Sequence, residues 1–179
     1  MAEEIEKKFR LSRAQFDRAA EDLAALGAEF IGTFSEVNLI FSSPQLEERS
    51  AVARIRTTEH GSTLTYKRWI SSDAGVKRHI EHETEIGDPD AAAEILSELR
   101  LEVRLVYEKR RRAWKVRDAE VVLDELPFGL FMEIEGTPAA IGEAELVVAA
   151  EGFEPEPDTY PRLTERLGTR RGALIEARF

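Results

Sequence analysis

Alternating acidic and basic side chains open the sequence. Glu4, Glu6 and Lys8 are each separated by a single residue. In a β-strand every second side chain points to the same face, so these three would lie side by side. Carboxylates are ligands that hard divalent cations prefer, and a lysine ammonium can bind a phosphate. The same alternation is also typical of a solvated sheet face, so this stretch alone does not decide between a site and a surface.

The two-residue spacing of charged side chains recurs along the chain. The repeated rows are Arg54 and Arg56; Thr63, Thr65 and Lys67; Glu81, Glu83 and Glu85; Lys109 and Arg111; and Glu133 and Glu135, with Asp124 after an apolar run. If the strands form one closed sheet, these rows face a common lumen. Buried charges are costly unless they are paired or bound to ions. The pattern therefore predicts an interior that balances its charges, binds a ligand, or does both.

In this order the motifs resemble those of the CYTH domain family, the triphosphate tunnel metalloenzymes. The segments that carry the resemblance are Glu4-x-Glu6-x-Lys8, Arg54-Ile55-Arg56, Leu64-Thr65-Tyr66-Lys67, the Glu81, Glu83 and Glu85 row, Lys109-Arg110-Arg111, Leu123-Asp124-Glu125 and Phe131-Met132-Glu133-Ile134-Glu135. They span roughly residues 3–167, nearly the whole chain. The resemblance implies an α+β fold, in which a closed eight-stranded antiparallel β-barrel forms a triphosphate tunnel with flanking helices.

The resemblance also implies roles for the charged residues. Glu4, Glu6 and Lys8 are expected to be catalytic. The residues expected to bind the triphosphate are Lys8, Arg54, Arg56, Lys67, Arg78, Lys109 and Arg111. The residues expected to hold Mg²⁺ or Mn²⁺ are Glu4, Glu6, Glu81, Glu83, Glu85, Asp124, Glu133 and Glu135. Which of Glu81, Glu83 and Glu85 face the metal stays open, because all three can share one strand face.

Capping signals place the helices that flank the strands. Ser12 and Gln15 have the spacing of a capping box, which begins a helix that ends near Gly27. Asp88-Pro89 and Thr137-Pro138 begin two further helices, and residues 160–167 form a short last one. Extended runs predict a strand at 29–41, a hairpin through 54–67, and strands at 77–86, 102–116, 120–126 and 129–135. Residues 42–50 and 71–75 are predicted loops, and 154–157 a linker.

The composition fits one domain over residues 1–168, with 169–179 as a loose C-terminal tail. Of the 179 residues, 42% are hydrophobic and 34% are charged, a charged fraction above that of an average domain. The net charge of -10 argues against nucleic acid or an anionic membrane as a partner. The sequence has no cysteine, which excludes disulfides and thiolate metal sites and fits a reducing compartment. We expect a cytoplasmic protein, a monomer or homodimer, that binds a small molecule.

The resemblance and the charged rows together predict an enzyme that hydrolyses a triphosphate compound. Tripolyphosphate, a nucleoside triphosphate and thiamine triphosphate are all candidate substrates. One alternative is a class IV adenylate cyclase, which would make cyclic AMP and pyrophosphate from ATP in the same tunnel. Another is a noncatalytic module that binds polyphosphate or a nucleotide. The sequence contains no Walker loop, Rossmann fingerprint or nucleophile elbow, and its three histidines lack the spacing of a zinc site.

Overall fold

The predicted strands and helices occur in the predicted order, and the structure adds one short helix and three short strands in the described ranges. The computed structural model describes residues 2–73, 76–150 and 152–179. In these ranges the strands are β1 (Ala2–Leu11), β2 (Glu29–Ser42), β3 (Ala51–Thr58), β4 (Gly61–Asp73), β5 (Val76–Ile86), β6 (Glu102–Val116), β7 (Ala119–Leu126), β8 (Gly129–Glu135), β9 (Glu154–Pro155), β10 (Thr169–Arg171) and β11 (Leu174–Ala177). The helices are α1 (Arg13–Ala25), α2 (Pro44–Glu48), α3 (Pro89–Glu98), α4 (Pro138–Val147) and α5 (Tyr160–Leu167).

Eight of these strands close into an antiparallel barrel. Their order around the barrel is β6-β2-β3-β4-β5-β1-β8-β7, and β7 pairs with β6 to complete the ring. The register joins Glu6 of β1 to Lys77 of β5 on one side and to Glu135 of β8 on the other. The predicted fold class, a closed eight-stranded barrel with flanking helices, is confirmed.

The main apolar core lies outside the barrel, between its outer face and the helices. On β1 the side chains of Phe9 and Leu11 point outward, opposite to Lys8. The α1 helix begins with the predicted capping box between Ser12 and Gln15, and its apolar stripe packs on this face through Phe16 and Leu23. The α4 helix joins the same cluster, while α3 covers the outer face of β3. No helix in the described ranges is long and apolar enough to cross a membrane.

The C-terminal segment is not the loose tail that the sequence led us to expect. Residues 169–177 form a hairpin of β10 and β11, and β11 adds to β6 in parallel. Ile175 and Ala177 are buried against Tyr160 and Leu163 of α5, so apolar contacts keep the segment in place. Three other segments that the sequence predicts to be irregular are also partly regular. The 42–50 segment contains α2 and the 154–157 segment contains β9, while β4 extends into the predicted 71–75 loop, of which Ala74 and Gly75 lie outside the described residues.

We predict that Gly168→Ala destabilises the fold by about 1–3 kcal/mol. Gly168 joins α5 to β10, and an added Cβ would lie 2.6 Å from the carbonyl oxygen of Thr164 and 2.9 Å from that of Glu176. Both atoms belong to the backbone, so the conflict forces the helix end away from the hairpin. Urea denaturation measures the change.

Gly142→Ala is the matched control, because a Cβ at this α4 position meets no atom within 4 Å. We expect it to leave stability unchanged or raise it by up to about 1 kcal/mol. Equal stability of the two variants would contradict the close contact at Gly168.

Candidate functional site

The rows of charged side chains point into the barrel. A cavity of about 1090 Å³ occupies the lumen. Its lining includes most of the predicted site residues, namely Glu4, Glu6, Lys8, Arg54, Arg56, Lys67, Glu81, Glu83, Lys109, Arg111, Glu133 and Glu135. Strand alternation therefore brings together residues that lie up to 131 positions apart in the sequence.

A second cavity of about 430 Å³ opens at the other end of the strands. Arg56 and Arg111 line both cavities, so the charged lumen lies between two openings. The opening that contains Trp69 and Leu105 is called the wide mouth, and the opening that contains His60 and Glu85 is called the narrow mouth. The lumen is thus a tunnel.

The order of the strands gives opposite walls of the lumen net charges of opposite sign, although Lys8 and Lys77 lie on the acidic wall. The basic wall is formed by β6 and β3, which contribute Lys109, Arg111, Arg54 and Arg56 to the lumen, and by β2 between them, which contributes Glu36. The acidic wall is formed by β5, β1 and β8, and its lumen carboxylates are Glu81, Glu83, Glu4, Glu6, Glu133 and Glu135. One strand separates the walls on each side, β4 on one and β7 on the other.

Buried ion pairs stabilise the basic wall. Arg111 donates from Nε and Nη2 to the two carboxylate oxygens of Asp124, at 2.8 and 2.7 Å. Lys109 Nζ lies 3.2 Å from Glu36 Oε2 and 3.4 Å from Asp124 Oδ2. Burial would raise the pKa of Glu36, but Lys109 and Arg111 outweigh it and lower that pKa to about 2. Arg54 differs, because its buried Nε has no hydrogen-bond partner among the described residues.

The acidic wall has too little positive charge for its carboxylates. Lys67 Nζ of β4 lies 2.8 Å from Glu4 and 3.1 Å from Glu81, and it is also 3.6 Å from Glu6. Burial raises the pKa of Glu4 to about 9, and a hydrogen bond with Glu81 adds to the rise against the attraction of Lys67. Burial likewise raises the pKa of Glu135 to about 7. At neutral pH these two carboxyl groups therefore retain protons, wholly or in part.

The α5 helix closes part of the wide mouth with Tyr160. The Tyr160 hydroxyl donates to Asp124 Oδ2 at 2.8 Å, and the ammonium of Lys8 lies 3.6 Å from the centre of its ring. Lys8 and Lys77 both donate to the carbonyl oxygen of Asp158, at 3.3 and 3.2 Å. Burial lowers the pKa of Lys77 to about 8, and the nearby Lys8 contributes to this shift. The segment before α5 thus gathers two amines beside the acidic wall.

Comparison with known proteins agrees with this architecture. The CYTH domain family model matches residues 2–151. The chain belongs to the CYTH domain family. No functionally curated protein matches the sequence.

Solved structures share the CYTH barrel over most of the chain. The PH1012 protein from Pyrococcus horikoshii OT3 is 27% identical with a TM-score of 0.76, over 89% of this chain and 98% of that one. The PH1819 protein from the same organism is 25% identical with a TM-score of 0.76, over 91% and 98%. HpAC1 from Hippeastrum, for which a dominant triphosphatase activity is stated, is 21% identical with a TM-score of 0.72, over 95% and 98%. At that identity HpAC1 supports the fold alone.

Three of the predicted CYTH site residues lie elsewhere than expected. Arg78 pairs with Ile5, so it is on the outer face of β5 and does not line either cavity, whereas Lys77 points inward. Asp124 is fully buried and binds Arg111, Lys109 and Tyr160, which leaves it placed as an ion-pair partner and not as a ligand facing the cavity. Glu85 lies at the narrow mouth, away from Glu4 and Glu6.

Other residues of the CYTH tunnel were not predicted from the sequence. Glu36 lies two residues before Asn38, and Lys77 lies four before Glu81, so strand alternation would have placed both pairs on one face. Trp69 and His79 line the cavity as well. The close approach of Tyr160 to Asp124 has no local sequence signal, because it depends on how α5 folds back onto the barrel.

The donor groups of the acidic wall fit a hard divalent cation. Glu4, Glu6, Glu81 and Glu135 offer oxygen ligands, which Mg²⁺ and Mn²⁺ prefer. Among the described residues no three carboxylate or imidazole groups converge into a preformed cage. Mg²⁺ often needs only one or two carboxylates, with water and phosphate oxygens completing its shell. Burial, with a contribution from the neighbouring Glu81, raises the pKa of Glu4, and a bound cation would oppose this shift.

We predict that Asp124→Asn lowers the free energy of unfolding by about 3–5 kcal/mol. The substitution removes the negative charge that Arg111 and Lys109 share, and it leaves two buried cations with less compensation. Urea denaturation at pH 7 measures the loss.

Glu83→Gln is the control, because Glu83 is 33% exposed in its pair with Arg56. Removing this pair should cost less than about 1 kcal/mol. If the two variants lost equal stability, the structural importance of Asp124 would be refuted.

Proposed function

We propose that this CYTH protein is a divalent-metal-dependent triphosphatase that hydrolyses a triphosphate compound inside the tunnel. The observation that carries the proposal is that opposite walls of one lumen have net charges of opposite sign. A polyphosphate with its metal ion is a ligand that uses both walls at once. A purely structural barrel has no need of such an interior, because apolar side chains would fill it at lower cost.

The basic wall is suited to binding the phosphate chain. Arg54 and Arg56 on β3 and Arg111 on β6 present guanidinium groups, whose planar forks match phosphate oxygens. The buried Nε of Arg54 supports this role, because a phosphate oxygen would supply the partner that the protein does not. Lys109 and Lys67 add point charges on either side. Because the whole chain has a net charge of -10, this local cluster must provide the attraction for an anion.

The acidic wall is suited to holding Mg²⁺ or Mn²⁺ through Glu4 and Glu6, with Glu81 and Glu135 nearby. When bound, the metal would neutralise phosphate charge and lower the pKa of a water molecule. Glu4 would have to release its proton to coordinate a cation, so metal affinity depends on pH. The pKa of Glu135, about 7, suits a group that accepts a proton from attacking water.

Hydrolysis makes fewer demands on this tunnel than cyclisation does. Phosphoryl transfer depends mainly on positioning and electrostatic stabilisation, which fixed charges on two walls provide. Cyclisation also requires a ribose whose 3′-hydroxyl is aligned with the α-phosphate. The activity stated for HpAC1 of Hippeastrum, a dominant triphosphatase, is the one that we propose here. We further propose a cytoplasmic protein whose ligand is a small molecule, not a nucleic acid.

Product analysis tests the proposal directly. Purified protein is incubated with tripolyphosphate, ATP or thiamine triphosphate and either Mg²⁺ or Mn²⁺, and the products are separated. We expect metal-dependent release of orthophosphate and no cyclic nucleotide. Cyclic AMP with pyrophosphate would instead identify an adenylate cyclase, and binding without turnover would identify a noncatalytic module.

We predict that the affinity for Mn²⁺ rises about tenfold per pH unit from pH 6 to 8 and that Glu4→Gln removes most of this dependence. The proton on Glu4 competes with the metal until the pH approaches the pKa of about 9. Glutamine resembles the protonated carboxyl group in shape and charge, so the variant should keep its stability at neutral pH. Calorimetric titration at several pH values, with thermal unfolding as the check on folding, measures both effects.

Glu85→Gln provides the control, since Glu85 lies at the narrow mouth and should leave the pH dependence intact. A Glu4→Gln protein that binds Mn²⁺ with the wild-type pH dependence would exclude Glu4 as a ligand.

A further inference from the structure

An aromatic pair lies at the wide mouth of the charged tunnel. Trp69 and His79 both line the main cavity, and they face each other across β4 and β5. Their ring centres are 5.3 Å apart and the rings are nearly perpendicular, at 76°. The backbone amide of Trp69 donates to the carbonyl oxygen of Ser50 at 3.0 Å, which fixes this part of β4 beside the start of β3.

The position of Trp69 relates it to the phosphate-binding residues. Trp69 is the next inward-facing residue after Lys67, so their Cα atoms are about 7 Å apart along β4. On the neighbouring strand, Val52 is the inward-facing residue next to Arg54 in the same direction, toward the wide mouth. If a phosphate chain held by Arg54 and Lys67 has its substituent toward the wide mouth, that substituent lies beside Trp69.

The chemistry of the pair is unlike that of the rest of the lumen. The face of an indole ring does not bind phosphate oxygens, but it stacks well on flat apolar surfaces. His79 is 2% exposed, and its Nδ1 has no hydrogen-bond partner among the described residues. A buried polar atom without a partner is costly, so a ligand donor that reached this nitrogen would relieve that cost.

We propose that Trp69 and His79 form a binding site for the planar aromatic group of a triphosphate ester, such as a nucleobase. Trp69 provides the stacking surface and His79 Nδ1 a hydrogen bond. This inference rests on the proposed function and specifies its substrate class: a triphosphate that carries an aromatic ring, in preference to bare tripolyphosphate.

Equilibrium binding tests the proposal without relying on turnover. The full-length protein with Mg²⁺ is titrated by calorimetry with the β,γ-imido analogue of ATP and with imidodiphosphate, which has the imido linkage but no base. Trp69→Ala should weaken binding of the ATP analogue about tenfold or more, because stacking on one base is a large part of its affinity. Its affinity for imidodiphosphate should stay within about twofold of the wild-type value.

Two further variants separate stacking from a change in the fold. Trp69→Phe keeps an aromatic ring and should recover most of the lost affinity. Tyr66→Ala removes an aromatic side chain from the outer face of the same strand, where it stacks on His82, and should leave both affinities unchanged.

The possible outcomes distinguish this inference from the proposed function. If the wild-type protein hydrolyses tripolyphosphate but Trp69→Ala weakens both ligands equally or neither, the aromatic site is refuted and the triphosphatase stands. If the wild-type protein hydrolyses no triphosphate, the proposed function fails, and a selective loss of the ATP analogue in Trp69→Ala still supports the aromatic site.

Discussion

The constraint on which this structure depends is that the barrel encloses charge. Side chains such as Lys8, Lys109 and Asp124 are almost completely buried, and each must find a partner of opposite sign inside the sheet. The inner face therefore cannot provide the main hydrophobic core. That core lies on the outer faces of the strands instead, where α1, α3 and α4 cover it. These helices are needed because the inner face is largely charged, and its apolar residues form only a smaller cluster under α5 at the wide mouth.

The pairing is uneven around the barrel, and this unevenness gives the lumen its chemical character. The cluster of Arg111, Lys109, Glu36 and Asp124 is largely balanced, and it holds its guanidinium and ammonium groups in fixed positions. Fixed charges stabilise a ligand without reorganising, which is how preorganised sites favour phosphoryl transfer. Across the lumen, burial and the neighbouring Glu81 raise the pKa of Glu4, and Lys67, which is shared with other carboxylates, does not offset the rise. The basic wall thus presents fixed positive charge toward the lumen, and the acidic wall has an excess of carboxylates that a cation would offset.

The two ends of the tunnel carry different side chains. At the wide mouth, α5 places the ring of Tyr160 over the amines of Lys8 and Lys109, and apolar residues such as Leu105 and Phe131 pack against it. Trp69 of β4 also lines this mouth and provides an aromatic surface there. The narrow mouth carries Phe34 and His60, with their rings 5.8 Å apart, and the carboxylate of Glu85. A ligand that enters at the wide mouth meets an aromatic surface before it reaches the charged centre.

The sequence by itself determined which side chains share a strand face, because alternation is a property of the local backbone. Glu4, Glu6 and Lys8 therefore line one cavity as expected, and the capping box at Ser12 begins α1 where predicted. The resemblance to the family placed Arg78 in the tunnel, and this prediction was wrong. Arg78 is three residues from Glu81, so alternation puts the two on opposite faces of β5. Tertiary structure alone decided the order of strands, and with it the opposition of the two walls. It also decided that Asp124 binds Arg111 and Tyr160, and that the last residues add a strand to β6. These features depend on pairing between distant segments and on closure of the sheet, which local spacing does not specify.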